Sequence, residues 1–310
     1  MYNTKNAVFG KSFLYKYVQH KYLTLLFFVG LTYIIIFKYL PIYGLQIAFK
    51  DYKFLLGIWD SPWVGFENFK DLLMAPSFSQ VFKNTVILSI YNLIAGFPAP
   101  IVLAILLNEV RSVLFKKTVQ TISYLPHFIS WVILGGMFIQ FLSPSIGPIN
   151  IVLKSLGMKP IFFLGDPDYF RGVAVFTHVW KSVGWGSIVY LAALSGIDSE
   201  LYQAADIDGA NRLKKMINIT LPGLTPVITI MLIFDMGKLI NDHFDQIFNL
   251  YNPAVYSVGD VISTYTYRMG IVEMKYSFST AVGLFKNIIS FTLVVIANSV
   301  ARKINEYSLW

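Results

Sequence analysis

Five ionisable residues sit where an apolar chain accommodates charge least well. His178, Lys181, Asp235, Lys238 and Lys286 fall inside, or at the ends of, long apolar stretches. A charge held in hydrocarbon faces a cavity, pairs with another charge or snorkels to the interface. Asp235 and Lys238, three apart on one helical face, are expected to neutralise each other. Lys181 and Lys286 are the better cavity residues, and Asn287 beside Lys286 offers a hydroxyl both a donor and an acceptor. Trp131, Trp180, Trp185 and Tyr190 lie in two central stretches. Flat rings of this kind stack on the weakly apolar C–H face of a sugar, whose hydroxyls then need amide or hydroxyl partners. The same residue types also serve in helix packing and at membrane interfaces. The candidate substrate path is therefore Trp131, Trp180, Lys181, Trp185, Tyr190, Lys286 and Asn287.

Catalytic chemistry finds little support. The chain has no cysteine, which removes disulfides, thiolate metal sites and cysteine nucleophiles. Its four histidines, His20, His127, His178 and His243, are scattered, and there is neither a HExxH pair nor a GxSxG elbow. Gly10, Lys11 and Ser12 look like the end of a phosphate-binding loop, but Lys5 stands at its first glycine position and no strand precedes it. No catalytic residue, no metal site and no cofactor bound by this chain are expected.

The elements that must position these residues are membrane spans. The chain is 55% hydrophobic and 14% charged, with mean hydropathy +0.59, against about a quarter charged in soluble domains. About 20 apolar residues cross the hydrocarbon layer as a helix, and stretches 21–38, 84–108, 118–142, 172–197, 221–240 and 276–301 meet that test. The first is read as an uncleaved span that continues weakly toward Phe49. The expected fold class is all-α integral membrane, one transmembrane domain over 1–310 with about six transmembrane helices. The net charge of +8 comes from basic residues between apolar blocks, which favours topology and anionic lipid headgroups over nucleic acid. Lys5, Lys11, Lys16 and Lys21, then Arg111, Lys116 and Lys117, then Arg212, Lys214 and Lys215, then Arg302 and Lys303 crowd short segments on one side. Positive residues in short loops stay in the cytoplasm, so residues 1–20 and both termini are expected there. Pro98, Pro100 and Pro126 should kink their helices, and Gly135 and Gly136 allow close helix contact.

Between the fourth and fifth spans, residues 198–222 lie on the same side as the termini. Asp198 or Ser199 can cap a helix whose positive end suits Glu200, and Gly209 can close it in the left-handed conformation. A second short helix is expected over about 210–219, with Pro222 ending the loop. Small Ala204 and Ala205 on such a two-helix knob let its backbone sit deep in a partner's groove, where a membrane-surface linker is the alternative reading.

The run from Tyr202 to Pro222 resembles the EAA loop of binding-protein-dependent ABC importer permeases, the maltose-permease-like superfamily. Ala204, Ala205, Asp208, Gly209, Ala210, Leu221 and Pro222 match in order, while Gln203 stands where the family usually has Glu and Met216 where an aromatic is common. Ser123 to Pro126 extends the likeness. Phe244 to Pro253, and Tyr276, Ser277 and Phe278 with Ala281 to Leu284, are similar to the branch that imports oligosaccharides and polysaccharide fragments. The resemblance implies a type I importer permease fold in a bacterial cytoplasmic membrane. It also implies a second homologous permease subunit, two ATPase subunits that use ATP and Mg, and an extracytoplasmic sugar-binding lipoprotein. Gln203, Ala204, Ala205, Asp208, Gly209, Ala210, Leu221 and Pro222 would couple the ATPase to the spans by a two-state switch. Gln keeps the size and hydrogen bonding of the missing Glu but not its charge. A secondary transporter or channel is the alternative, though no similarity between the two halves is evident.

Overall fold

The computed structural model describes residues 20–240 and 243–305. Lys5, Lys11, Lys16, the run from Gly10 to Ser12, and Asp242 lie outside the described residues. Among the described residues every regular element is helical, apart from one isolated bridge between Lys50 and Trp63. The longer helices are α1 (Lys21–Phe49), α2 (Glu67–Met74), α3 (Pro76–Glu109), α4 (Val113–Phe128), α5 (Trp131–Phe141) and α6 (Pro148–Ser155). They continue with α7 (Pro167–Ser195), α8 (Ser199–Ile207), α9 (Arg212–Gly237), α10 (Phe244–Leu250), α11 (Ile262–Tyr267) and α12 (Tyr276–Asn305). Pro76, Pro148 and Pro167 open their helices at the first position, where a missing N–H costs nothing.

Helices α1, α3, α9 and α12 are long and apolar enough to cross a membrane, and the bent pair α4 and α5 passes the same test only when taken together, as a broken span or a re-entrant loop. The sixth expected span lies in α7, which is 29 residues long but is not in that apolar class. Its position explains why. Helix α7 packs against α3, α4, α9 and α10, so His178, Lys181 and Ser182 meet protein rather than lipid, and a helix walled by protein need not be apolar all round. Helix α1 is the opposite case. No residue of its first segment, Lys21–Ile34, is buried, and its last segment, Leu40–Phe49, packs on α12.

Two expectations about continuity need correction. The stretch 118–142 is not one kinked span but two helices meeting at 104°. Pro126 sits in a tight turn, Leu125–Phe128, after which Ile129 is extended and Ser130 caps α5 by accepting a hydrogen bond from the Ile133 N–H at 3.4 Å. The second loop helix does not stop near residue 219 before a separate span either. It runs on as α9 without a break, through a widened π turn over Met216–Thr220. Such a turn relieves the clash between a proline ring and the preceding turn, so Pro222 is absorbed rather than terminal. Of the two glycines expected at a close contact, Gly135 is one: a Cβ there would lie 2.9 Å from Cβ of Asn249 on α10, whereas Gly136 faces open space. A tighter approach falls at Gly184, whose Hα side rests on the Ser123 carbonyl where α7 crosses α4.

Residues 243–275 form a compact cap over the start of α7. Its buried polar groups are paired. Asn84, fully buried, donates to the Asp260 carbonyl at 3.1 Å and accepts from Arg171 at 2.8 Å. Asp260 in turn holds Arg268 by contacts of 2.5 and 3.3 Å. Gln246 donates to Thr177 Oγ1 at 2.9 Å. Buried polar groups satisfied in this way fix one arrangement, because any alternative leaves a group unpaired.

Candidate functional site

At the far end of α7 from that cap, Asp198 accepts a hydrogen bond from the Glu200 N–H at 2.9 Å and starts α8. The helix ends in a Schellman arrangement. The Gly209 N–H donates to the Asp206 carbonyl at 3.1 Å and the Ala210 N–H to the Ala205 carbonyl at 2.9 Å, with Gly209 at φ 71°. Asn211 caps the next helix through the Lys214 N–H at 2.9 Å. Helix α8 therefore has two faces. Tyr202 and Asp206, four apart, tie it to α9: the Tyr202 hydroxyl lies 2.9 Å from that of Thr220, and Asp206, itself mostly exposed, pairs with Lys215. Leu201, Ala204 and Ile207 look outward, with Gln203 beside them, and Leu201 and Ile207 are 53% and 88% exposed. Burying side chains of this size against a partner is worth about 1.5–3 kcal/mol each.

Leu221 and Met216 do not share that surface. Both pack on a core cluster around Ile101, Ala104 and Leu224, and Gly223 approaches Ile197 so closely that a Cβ would lie 2.7 Å from its side chain. The knob is thus welded to α9. A force on α8 reaches the span through Tyr202, Asp206 and the unbroken helix, which is the mechanical property a coupling element needs.

The candidate substrate-path residues separate into five places. Tyr190 is buried in the same core cluster as Leu224 and lines none of the cavities described below. Lys181 donates to the carbonyls of Pro126 and His127 at 3.2 Å each and to that of Ile129, and its ammonium lies 5.2 Å from the Trp131 ring centroid. These are the carbonyls orphaned where α4 breaks, so Lys181 is a helix-end cap and Trp131 its cover. This corrects its reading as a cavity residue. Trp180 meets Phe138 edge to face and borders an apolar groove with Met137 and Phe176.

Trp185 and the pair Lys286 and Asn287 do line cavities, two different ones. Trp185 stacks on His127 with centroids 4.6 Å apart and planes 2° from parallel. Together they border a cavity of 330 Å³ between α3, α7 and the end of α9, which also carries Asn92, His178, Ser182 and Asp235. The Oδ1 of Asn92 is buried there with no hydrogen-bond partner among the described residues. The rings of His178 and His243 lie 4.0 Å apart on its wall. Asp235 and Lys238 both face this cavity; no ion pair joins their side chains among the described residues, but Lys238 is the nearby positive charge whose field favours the Asp235 carboxylate. Asn92, Ser182, His127 and Gln246 were missed in the sequence. The signal was present for α7, where His178, Ser182 and Trp185 recur at helical spacing on one face. Lys286 and Asn287 border an open pocket of 560 Å³ with Phe244, Ser263, Thr266, Tyr267 and Ser290.

Comparison with known proteins places the whole arrangement. Residues 72–306 match the family described as binding-protein-dependent transport system inner membrane component. The chain is similar to the protein LplB of Bacillus subtilis (strain 168), 44% identical over 97% of this chain and 95% of that protein. It is also similar to the polygalacturonan/rhamnogalacturonan transport system permease protein YteP of the same organism, 42% identical over 97% and 94%. Among solved structures it matches a bacterial ABC transporter involved in the import of the acidic polysaccharide alginate, with TM-score 0.87 and 40% identity over 94% of this chain and 99% of that one. A second structure, of the bacterial alginate ABC transporter in complex with an alginate pentasaccharide-bound periplasmic protein, matches with TM-score 0.87 and 39% identity over 95% and 98%.

Proposed function

The chain belongs to the family of binding-protein-dependent transport system inner membrane components, and from that premise we propose that it is one of two permease subunits of an ATP-driven importer of oligosaccharides or polysaccharide fragments. It is a multi-pass membrane protein with apolar spans. The observation that carries the coupling role is α8: a capped helix tied to α9 by Tyr202 and Asp206 while Leu201, Ala204 and Ile207 stand exposed. In this reading each of two ATPase subunits receives one such knob, from this chain and from its sister. ATP and Mg act in those subunits, and residues 1–20, both termini and the loop 198–222 are cytoplasmic.

Nucleotide-driven closure of the ATPases moves α8, and α9 moves with it because the π turn at Met216–Thr220 leaves the helix unbroken. The spans then exchange inward-facing and outward-facing states, as differential contacts in two states require. Cargo arrives from an extracytoplasmic sugar-binding lipoprotein. The 330 Å³ cavity falls within the volume range of small-ligand sites, and it joins the elements a sugar needs: the Trp185 and His127 rings as a platform and Asn92 Oδ1 as an unclaimed acceptor for a hydroxyl.

The test is reconstitution in proteoliposomes with the second permease, the ATPase and a sugar-binding lipoprotein. Trp185→Ala is expected to lower saccharide uptake per ATP hydrolysed about tenfold, the scale of one lost aromatic platform. Equal uptake would remove the cavity from the path, and uptake by the purified chain alone, driven by a proton or sodium gradient, would overturn the importer assignment.

A further inference from the structure

We propose that a row of aromatic rings outside the Trp185 cavity, formed by Phe244, Tyr267, Phe248, Tyr251 and Tyr256, is a track along which an extended saccharide chain slides to the pocket at Lys286 and Asn287. The inference rests on the saccharide-import reading and specifies its ligand as a chain of several sugar units rather than a single one.

Phe244, Phe248 and Tyr267 form a mutually contacting trio, with centroids 5.1, 5.2 and 5.5 Å apart, and Tyr251 and Tyr256 lead on from Phe248 at 6.2 and 5.0 Å. The row begins at the 560 Å³ pocket, of which Phe244 and Tyr267 form one wall. It ends at Arg268, whose guanidinium carbon lies 5.3 Å from the Tyr256 ring centroid and which Asp260 holds at 2.5 Å. Arg268 is thereby fixed as a backing plate for the last ring.

Ordinary core packing does not account for the row. Phe244, Phe248, Tyr256 and Tyr267 belong to none of the three buried apolar clusters, and Phe248, Tyr256 and Tyr267 are each exposed by more than a third. Lipid does not suit it either. The pocket at its base carries Lys286, Asn287, Ser263, Thr266 and Ser290, groups that hydrocarbon penalises and an aqueous path does not. Water with a polar, ring-faced solute suits both the rings and the polar pocket beside them. Sugar rings supply the matching surfaces, C–H faces for the aromatics and hydroxyl edges for the amide and hydroxyl groups.

The chemistry favours sliding over tight holding. Each ring contact is worth little alone, and successive contacts of similar strength let a chain advance one unit at a time without a deep minimum. The charges lie at the two ends of the row, Arg268 held by Asp260 and Lys286 in the pocket, and the rings between carry none: burial first, then Tyr256 and Asp260, push the Tyr251 hydroxyl up to about 12.

The experiment uses the reconstituted importer and defined probes: oligogalacturonides, alginate oligosaccharides and arabino-oligosaccharides, each as dimer and pentamer. For whichever class the wild type imports, the double variant Phe248→Ala, Tyr267→Ala is expected to lower pentamer uptake about tenfold, the scale of two ring contacts, and dimer uptake less than twofold. The conservative pair Phe248→Tyr, Tyr267→Phe should restore the pentamer. Loss of both lengths alike, or of neither, would overturn the track while leaving the importer reading intact. A wild type that imports none of the three classes would count against the saccharide reading itself.

Discussion

Gly209→Val is expected to reduce binding-protein-stimulated ATP hydrolysis and saccharide uptake at least about tenfold while the protein still inserts and purifies. The cause is conformational rather than steric. A Cβ at Gly209 would meet nothing within 4 Å, but its φ of 71° is a left-handed conformation that costs an L-residue about 1–2 kcal/mol and a β-branched one more. The cheapest relief is to unwind the last turn of α8, which breaks the Gly209 and Ala210 bonds to Asp206 and Ala205 and lets the exposed face of Leu201, Ala204 and Ile207 lose its orientation. Gly209→Asn is the informative companion, since asparagine tolerates the left-handed region and should retain most activity. Equal damage from Asn and Val would instead point to a partner surface with no room for any side chain.

Lys181→Met is expected to destabilise the protein by about 1–3 kcal/mol, the scale of charge-assisted hydrogen bonds lost from part-buried carbonyls. Thermal unfolding of the purified protein in detergent reads this directly. Methionine fills a similar volume but donates nothing, so the carbonyls of Pro126, His127 and Ile129 would be stranded at the 104° break between α4 and α5. The two helices would lose their fixed angle. A Lys181→Met protein of wild-type stability that failed to transport would return Lys181 to the substrate path.

The contrast between these residues shows what the sequence carries. Gly209, Asp198 and the small pair Ala204 and Ala205 act through local rules of capping and backbone conformation, so their roles in α8 are legible from neighbours in the chain. Lys181 is not, because its partners lie more than fifty residues away and are backbone carbonyls, which leave no trace in residue type. The spans are legible in α1, α3, α9 and α12, where most of the helix surface is apolar even though α3, α9 and α12 also carry polar residues that line the cavities. Helix α7 was found by length, but its polar face was read as a list of isolated residues, although His178, Ser182 and Trp185 line a single cavity. Pro222 misled for a related reason: a proline rule stated for an ideal helix ends the helix, and a π turn just before it removes the conflict. The aromatic row was invisible because its rings come from α10, α11 and the segment between them, and only the fold sets them in order.

The central claim is that the exposed face of α8 is seated in an ATPase. A chain without cysteine permits a direct test, since Ala204→Cys creates its single thiol on that face. Labelling by a membrane-impermeant maleimide, added to the purified chain and to the assembled importer and read on this chain alone, measures whether the face is covered. The account predicts rapid labelling of the isolated chain and at least about tenfold slower labelling in the complex, as expected for a side chain buried in an interface core. Equal rates in the two preparations would contradict it.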